Sequence, residues 1–253
     1  MKVSPFTYFW YYLRYPKNRV FINEGFGIEA RFKTGVWEEH LNKTKLLIAD
    51  FLRTLGGVES ILVLGAGRLY DCDLEILSQF TKKIILLDAD PRARASWPRF
   101  VNSVPVDAIC SDVTGVFNVW AENIRKNVNE FSFPSEPTYP KADLIISLNL
   151  KSQLSVLFRE LVGRSIPELE AKLQAKHASD VFKQARRGAL LIYDEKYEYL
   201  SDGVSVERGS LDLSPIVIPS GWKEILNRKW DWELEKGKIA HHVVGRGLVS
   251  LNN

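Results

Sequence analysis

The chain has 253 residues, of which 45% are apolar and 26% are charged, and its formal net charge at pH 7 is +3. This composition indicates one globular domain, or one domain with an appendage, and excludes a disordered or fibrous chain. Basic and acidic residues are interleaved along the sequence, so it lacks the basic stripe that is typical of general nucleic-acid binders.

The two cysteines, Cys72 and Cys110, form no CxxC pair, so we expect no metal site of the usual spacing. Isolated thiols are typical of a reducing compartment, and the sequence therefore predicts a cytoplasmic protein. An aromatic run at residues 6–12 is too short to span a bilayer and is followed at once by Arg14. We interpret this run as a helix packed on its own domain, with docking on a membrane surface as the open alternative.

The chain divides near residue 58 into a helical part and a part in which strands and helices alternate. Apolar residues at helical spacing predict one amphipathic helix over residues 37–55, which Gly56 and Gly57 end. Residues 1–57 are therefore expected to form a helical cap or lid, and residues 58–253 the main domain. Short apolar runs in the main domain predict buried strands at residues 61–64, 83–87, 106–110, 143–147 and 188–193. Helices are predicted between them at residues 73–80, 91–101, 116–131, 154–163 and 166–185.

Apolar strands that alternate with helices indicate an α/β fold of three layers, with a parallel sheet covered on both faces. The end of the chain differs, because residues 229–234 and 239–249 read as extended segments around a turn at residues 235–238. This pattern predicts a hairpin that adds antiparallel strands to the edge of the sheet. The expected architecture is a Rossmann-like sheet of seven strands, mostly parallel, with a C-terminal antiparallel hairpin.

The loop after the first strand, Gly65-Ala-Gly67-Arg-Leu-Tyr-Asp71, is the strongest functional signal. A strand, a Gly-x-Gly and a helix in succession let the backbone approach a bound nucleotide closely. Tyr70 occupies the third glycine position of the dinucleotide motif, and Asp71, Asp73 and Glu75 make the start of the next helix acidic. Such a helix start repels a pyrophosphate but suits S-adenosylmethionine, which carries a sulfonium and an ammonium group.

Acidic residues also follow the next two predicted strands. Asp88 follows the second strand, where a carboxylate can accept both ribose hydroxyls, and Asp90 is the competing choice. Asp112 follows the third strand, where it is placed to bond an adenine amino group; a simple helix cap is the alternative for each acid. The residues expected to bind the cofactor are Gly65, Gly67, Asp71, Asp88 and Asp112.

The order of elements resembles that of the class I S-adenosylmethionine-dependent methyltransferases over about residues 37–249. The resemblance rests on Val63-Leu-Gly65-Ala-Gly67, Leu87-Asp88-Ala-Asp90-Pro91, Cys110-Ser-Asp112, Asp143-Leu-Ile-Ile-Ser147-Leu-Asn149 and the closing hairpin. It implies a seven-stranded sheet whose last strand is antiparallel, and S-adenosylmethionine lying across the ends of the first strands. By position it implies that Gly65 and Gly67 line the methionine portion, Asp88 the ribose and Asp112 the adenine.

Two positions depart from the family pattern. Leu69 stands where the commoner family loop has its third glycine. Ser147-Leu-Asn149-Leu-Lys-Ser-Gln153 replaces the Asp-Pro-Pro-Tyr type of sequence that the members methylating amino groups carry.

Methyl transfer needs mainly positioning, because the sulfonium is already activated, and it needs a base only when the acceptor must lose a proton. Asn149 and Gln153 follow the fourth strand, and their amides are expected to orient an acceptor, with a helix cap as the alternative. His40 is the best candidate for a general base, with a structural histidine as the alternative. Residues 24–31, followed by Trp37, are the expected lid. The predicted catalytic residues are His40 and Asn149, and the predicted substrate residues are Arg31, Trp37, Gln153 and Asp194.

The leading hypothesis is an enzyme that transfers a methyl group from S-adenosylmethionine to an unknown acceptor, expected to be a small molecule. The alternative is a non-catalytic protein of the same fold that binds the nucleoside or a protein partner. Transfer of the aminopropyl portion of the same donor is a third hypothesis. An NAD oxidoreductase comes fourth, because Tyr70 and the acidic helix start oppose it. The sequence leaves the oligomeric state open.

Overall fold

The N-terminal part of the described chain is helical. A computed structural model describes residues 5–15, 18–32, 37–126, 131–202 and 204–251, without the side chains of residues 5–9, 20 and 31. The N-terminal helices are α1 (Pro5–Arg14), α2 (Arg19–Phe32) and α3 (Glu38–Leu55). None of the helices in these ranges combines the length and the apolarity needed to cross a bilayer.

Strands and helices alternate after α3. The strands are β1 (Ile61–Leu64), β2 (Ile84–Asp88), β3 (Phe100–Val101), β4 (Val104–Cys110), β5 (Ala142–Leu148), β6 (Ala185–Ser201), β7 (Val204–Ser210), β8 (Trp222–Glu235) and β9 (Ile239–Ser250). The helices between them are α4 (Leu74–Ser78), α5 (Pro91–Arg94), α6 (Phe117–Arg125), α7 (Leu150–Val162) and α8 (Pro167–Gln184).

One sheet contains all the described strands, in the order β3-β4-β2-β1-β5-β6-β9-β8, with β7 paired to β6 outside this row. β4, β2, β1, β5 and β6 are parallel neighbours, whereas β9 is antiparallel to both β6 and β8. The predicted α/β fold with a mostly parallel sheet and a C-terminal antiparallel hairpin is therefore confirmed.

The count of seven strands was too low, since the described residues form nine. β3 and β4 make a short antiparallel pair, because Phe100 and Val101 turn back onto Pro105 and Val104. β6 extends past the end of β5, and β7 folds back to pair with this extension. In the hairpin, whose order the sequence left open, the second arm, β9, pairs with β6 and leaves β8 at the edge.

The helix predicted over residues 91–101 is much shorter than expected. α5 ends at Arg94, and β3 occupies Phe100–Val101. Pro98 accounts for this difference, because proline disfavours the helical conformation in the residue before it and cannot donate a backbone hydrogen bond.

Successive side chains of a strand point to opposite faces of the sheet, so each face carries its own apolar cluster and is covered by its own helices. In β1, Ile61 and Val63 belong to one hydrophobic cluster, which α3, α4 and α5 cover. Leu62 and Leu64 belong to the other cluster, which α6, α7 and α8 cover.

α3 contributes to the first of these clusters. Leu47, Ile48, Phe51 and Leu52 are buried on one face of the helix, and Gly56 ends it with a φ of 77°. α3 thus packs in the same core as β1, whereas α2 lies nearer the functional pocket described below. The domain boundary near residue 58 stays a prediction.

β1 marks the point where the chain order reverses. β2 lies on one side of it and β5 on the other. The loops that leave the carboxyl ends of β1 and β5 therefore diverge, which opens a crevice where α/β proteins commonly bind ligands.

Candidate functional site

A pocket opens at this crevice, beneath α2. It holds about 1160 Å³ of empty space, counting its open mouth. The predicted site residues that line it are Trp37, His40, Gly65, Gly67, Asp71, Asp88, Asp112, Asn149 and Gln153. Asp194 is buried outside the lining, and the side chain of Arg31 lies outside the described part of the chain.

The glycine loop runs along the floor of the pocket. Gly65 has a φ of 71°, and a Cβ there would lie 2.7 Å from Leu150 Cγ and 2.9 Å from the Leu148 carbonyl oxygen. Leu69 adopts a φ of 63°, a left-handed conformation that glycine takes without strain. The backbone at this position is thus the one a glycine favours, although the residue is leucine.

Asp88 ties the glycine loop to the end of β2. Gly67 N–H donates to Asp88 Oδ2 at 2.8 Å, and Asp90 N–H donates to Asp88 Oδ1 at 2.7 Å. Burial raises the pKa of Asp88 to about 6, and the two backbone hydrogen bonds oppose that rise. Asp90 is the N-cap of α5, and its Oδ1 accepts a hydrogen bond from Arg92 N–H at 2.9 Å.

Asp112 serves as a cap for the turn before α6. Its Oδ1 accepts hydrogen bonds from Thr114 N–H (2.8 Å) and Thr114 Oγ1–H (2.7 Å), and its Oδ2 accepts one from Phe117 N–H at 3.0 Å. Burial raises its pKa, against these hydrogen bonds. Protein donors thus already occupy both oxygens of this carboxylate.

Asp71 and Asn149 face each other across the start of α7. Asn149 Nδ2–H donates to Asp71 Oδ2 at 3.4 Å, while Asn149 Oδ1 is buried without a partner among the described residues. Asn149 also holds a φ of 54°, a strained conformation of the kind that clusters at functional sites. Burial raises the pKa of Asp71 to about 6.

His40 sits among indole rings at the other end of the pocket. Its Nδ1 accepts a hydrogen bond from Trp230 Nε1–H at 3.1 Å, and its ring stacks on Trp232 at 3.9 Å between centroids. Trp37 packs edge-on against Trp232 at 4.9 Å. Burial lowers the pKa of His40 to about 4, so the imidazole is neutral at physiological pH.

Asp194 lies on β6 outside the lining of the pocket, and Gln153 lies on α7 within it. Ser152 Oγ–H donates to Asp194 Oδ2 at 3.1 Å, and His241 Nδ1 lies 3.4 Å from the same oxygen. Gln153 lines the pocket from the first turn of α7, where its N–H donates to the Asn149 carbonyl at 3.3 Å.

Ion pairs and ring contacts hold α2 over the pocket. Glu29 Oε1 lies 2.6 Å from Arg68 Nε and 3.4 Å from Arg92 Nη1. Phe32 stacks on Tyr70 at 3.8 Å with an interplanar angle of 6°. The segment predicted as a lid therefore contacts the glycine loop directly.

The pocket is acidic. Among the described residues that line it, Arg68 is the one Lys or Arg side chain, and the carboxylates are Glu24, Glu29, Asp71, Asp88, Asp90 and Asp112. This balance favours a ligand that carries positive charge.

Sequence reasoning missed three residues of the site. Trp230 and Trp232 alternate in the sequence, which predicted a strand face but gave no sign that they contact His40. Glu29 lies in the predicted lid, yet its partners Arg68 and Arg92 are distant in sequence.

No protein-family model matches the sequence, and no curated protein sequence matches it. Among solved structures, the chain is similar to a 1,6-didemethyltoxoflavin-N1-methyltransferase from Burkholderia thailandensis with bound S-adenosylhomocysteine. The identity is 12% and the TM-score 0.43, over 83% of this chain and 78% of that chain.

The chain is also similar to an O-methyltransferase from Bacillus cereus in complex with S-adenosylhomocysteine (11% identity, TM-score 0.39, 88% of each chain). A third similar structure is an rRNA methylase from Streptococcus thermophilus (12% identity, TM-score 0.38, 81% of this chain and 94% of that chain).

Proposed function

We propose that this protein is an S-adenosylmethionine-dependent methyltransferase that acts on a small acceptor. The observation that carries the proposal is the acidic pocket at the point where the strand order reverses, with Gly65, Gly67 and Asp88 on its floor. A pyrophosphate would meet carboxylates there, whereas a sulfonium and an ammonium group would be attracted.

The residues present fit this cofactor. Gly67 leaves room for its methionine portion, because a Cβ added there would meet no atom closer than 3.9 Å, and Gly65 lines the pocket beside it. Asp88 at the end of β2 would hold the ribose, and Asp112, just after β4, would hold the adenine. The unpartnered Asn149 Oδ1 gives the ammonium group an acceptor that is otherwise unsatisfied. When bound, S-adenosylmethionine supplies an activated methyl group on its sulfonium.

The protein positions the reacting groups, excludes water and supplies a proton acceptor. Asn149 is held by α7 and by Asp71, so the Oδ1 that would accept from the ammonium group has a fixed position. Asp71 can take a proton from an acceptor, since its raised pKa of about 6 lies near the working pH of a general base. α2 shields the pocket, and we propose it as the lid.

A small acceptor suits this arrangement, because Trp37 and Trp232, which lie beside His40 at the proposed acceptor end of the pocket, are both buried. A macromolecular acceptor would have to reach a position among these buried rings. The cytoplasmic location that the isolated cysteines favour stays a prediction.

Isothermal titration calorimetry with S-adenosylmethionine, S-adenosylhomocysteine and NAD tests the proposal. We expect the first two to bind and NAD not to bind. Asp88→Asn should weaken binding at least about tenfold, because a ribose hydroxyl loses a charged acceptor. Asp107→Asn is the matched control, since Asp107 is an exposed residue of β4 that pairs with Lys83 outside the pocket.

Three results would count against the proposal: no binding of either adenosyl compound, stronger binding of NAD, or equal binding by the Asp88→Asn variant. Binding without methyl release, measured with tritiated donor across pools of small acceptors, would favour the non-catalytic alternative. Release of methylthioadenosine instead of S-adenosylhomocysteine would favour aminopropyl transfer.

A further inference from the structure

The hydrogen bond between Trp230 and His40 fixes which nitrogen of the imidazole carries the proton. An indole N–H donates and cannot accept, so His40 Nδ1, which lies 3.1 Å from Trp230 Nε1, must present its lone pair. A neutral imidazole has one protonated nitrogen, and here that nitrogen is Nε2. His40 is therefore a hydrogen-bond donor, and its basic nitrogen is already occupied.

The groups around His40 are consistent with a neutral ring. Burial lowers its pKa to about 4; Asp194 on β6 opposes this shift, and His241 on β9 and Lys43 on α3 add to it. Within the described part of the chain, the hydrogen bond from Trp230 is the one that His40 makes through its side chain. Because His40 lines the pocket, its Nε2–H is available to a molecule bound there.

The walls beside His40 are flat and apolar. Trp37 and Trp232 are 6% and 7% exposed and meet at an interplanar angle of 85°. Leu41 lies on the next position of α3 and also lines the pocket. Such surfaces favour a planar ring over a flexible aliphatic chain, because rings stack or pack edge-to-face with little loss of entropy.

The polar groups that line the pocket restrict the class of acceptor further. The carboxylates of the pocket disfavour an anionic acceptor. The His40 N–H disfavours an ammonium group, since two donors cannot share a hydrogen bond.

We propose that the acceptor is a neutral, planar aromatic molecule whose oxygen or ring nitrogen accepts a hydrogen bond from His40 Nε2–H. This inference rests on the proposed function and names the class of acceptor for the same site. His40 then acts as a specificity-determining residue rather than as the general base.

The first test is the tautomer of His40, read from ¹⁵N chemical shifts of histidine-labelled protein between pH 5.5 and 9. We expect a protonated Nε2 and an unprotonated Nδ1 throughout this range. Trp230→Phe removes the donor to Nδ1 and should allow the Nδ1–H tautomer to appear. A protonated Nδ1 in the unsubstituted protein would overturn the inference, as would an imidazolium form that persists at pH 7.

The second test compares two bicyclic probes of similar size in the presence of saturating S-adenosylhomocysteine. Quinoline carries a nitrogen acceptor, whereas indole carries an N–H donor, so quinoline should bind about tenfold more tightly if one hydrogen bond separates them. His40→Gln keeps a donor near the Nε2 position and should retain most of this preference, whereas His40→Leu should abolish it. Equal binding of the two probes by the unsubstituted protein would overturn the inference, even if the His40→Leu variant fails to fold.

The two proposals fail in different ways. Absence of S-adenosylhomocysteine binding contradicts the methyltransferase proposal and leaves the tautomer result unaffected. Binding of S-adenosylhomocysteine together with an Nδ1–H tautomer contradicts the acceptor class alone.

Discussion

The two ends of the pocket are built in different ways. At the proposed nucleoside end, which contains Gly67, Asp88 and Asp112, two contacts join residues that are closer in sequence. Asp112 accepts a hydrogen bond from Phe117 N–H five residues away, and Asp88 accepts one from Gly67 N–H 21 residues away. At the acceptor end, His40 bonds to Trp230 across 190 residues, and Trp37 Nε1–H donates to the Leu234 carbonyl across 197.

Because of this difference, we expect one end of the pocket to contribute mainly to ligand binding and the other mainly to the stability of the fold. The nucleoside end is shaped by backbone conformation and by carboxylates at strand ends, which contribute little apolar burial. The acceptor end consists of large buried rings that also join α3 to the C-terminal hairpin. We therefore expect substitutions at the first end to change affinity mainly, and substitutions at the second end to change stability mainly.

The largest expected effect is that of Trp232→Ala. Removing this buried ring from between His40 and Trp37 should lower the free energy of unfolding by about 3–5 kcal/mol, because it leaves a cavity. Chemical denaturation measures the loss. Trp10→Ala is the matched control, since Trp10 is 46% exposed, and it should change stability by less than about 0.5 kcal/mol. Equal stability of the Trp232→Ala and unsubstituted proteins would contradict the expectation that substitutions at the acceptor end mainly change stability.

The next largest effect is expected for Gly65→Ala. The new Cβ would meet Leu150 and the Leu148 carbonyl, so the loop must shift and affinity for S-adenosylhomocysteine should fall about a hundredfold. Gly237→Ala is the control, because Gly237 has a similar φ of 67° and a Cβ added there would meet no atom within 4 Å. The control should cost about 1–2 kcal/mol of stability and leave affinity unchanged. Similar calorimetric affinities for both variants would show that the clash at Gly65 does not matter for binding.

The pH dependence should also differ between the two ends. Burial raises the pKa of Asp71 and of Asp88 from 3.8 to about 6. Protons are thus bound more tightly in the folded protein, and this contribution to stability is lost as pH rises from about 4 to 6. A cationic ligand favours the ionised carboxylates, so S-adenosylmethionine should bind about tenfold more weakly at pH 5 than at pH 7.5 and should release protons on binding.

Calorimetry in buffers of different ionisation enthalpy measures that proton release. His40 provides the contrast, because its pKa of about 4 places its own titration below pH 5.5. If the affinity for S-adenosylmethionine stayed constant from pH 5 to 7.5, that result would contradict the prediction that ionised carboxylates favour binding of the cofactor.

The smallest effect is expected for the lid. Phe32→Ala removes the stacking on Tyr70 and should speed dissociation of S-adenosylhomocysteine about threefold to tenfold, since an aromatic pair contributes about 0.5–1.5 kcal/mol. Stopped-flow fluorescence measures the rate. Tyr199→Ala, which removes an exposed ring paired with Tyr197 on β6, should leave that rate unchanged. An unchanged rate for Phe32→Ala would argue against α2 as the lid.

Much of the nucleoside end was predictable. The Gly65–Gly67 loop, Asp88 and Asp112 each follow a short apolar strand, and strand ends in a parallel sheet must meet at one edge. The prediction was weaker where a carboxylate had two possible roles. The structure shows Asp112 capping α6 through Oδ2 and Phe117 N–H, which a single sequence cannot distinguish from a ligand contact.

The sequence by itself determined the alternation of strands and helices, the glycine loop and the acidic helix start, because these depend on local periodicity and on residue chemistry. Only the tertiary structure decided the strand order at the C-terminus, with β9 rather than β8 beside β6. That order brings Trp230 and Trp232 over α3, where they bury His40 and set its protonated nitrogen. The physical reason is that local patterns fix which face of an element is apolar, whereas pairing between distant strands depends on how whole faces pack together.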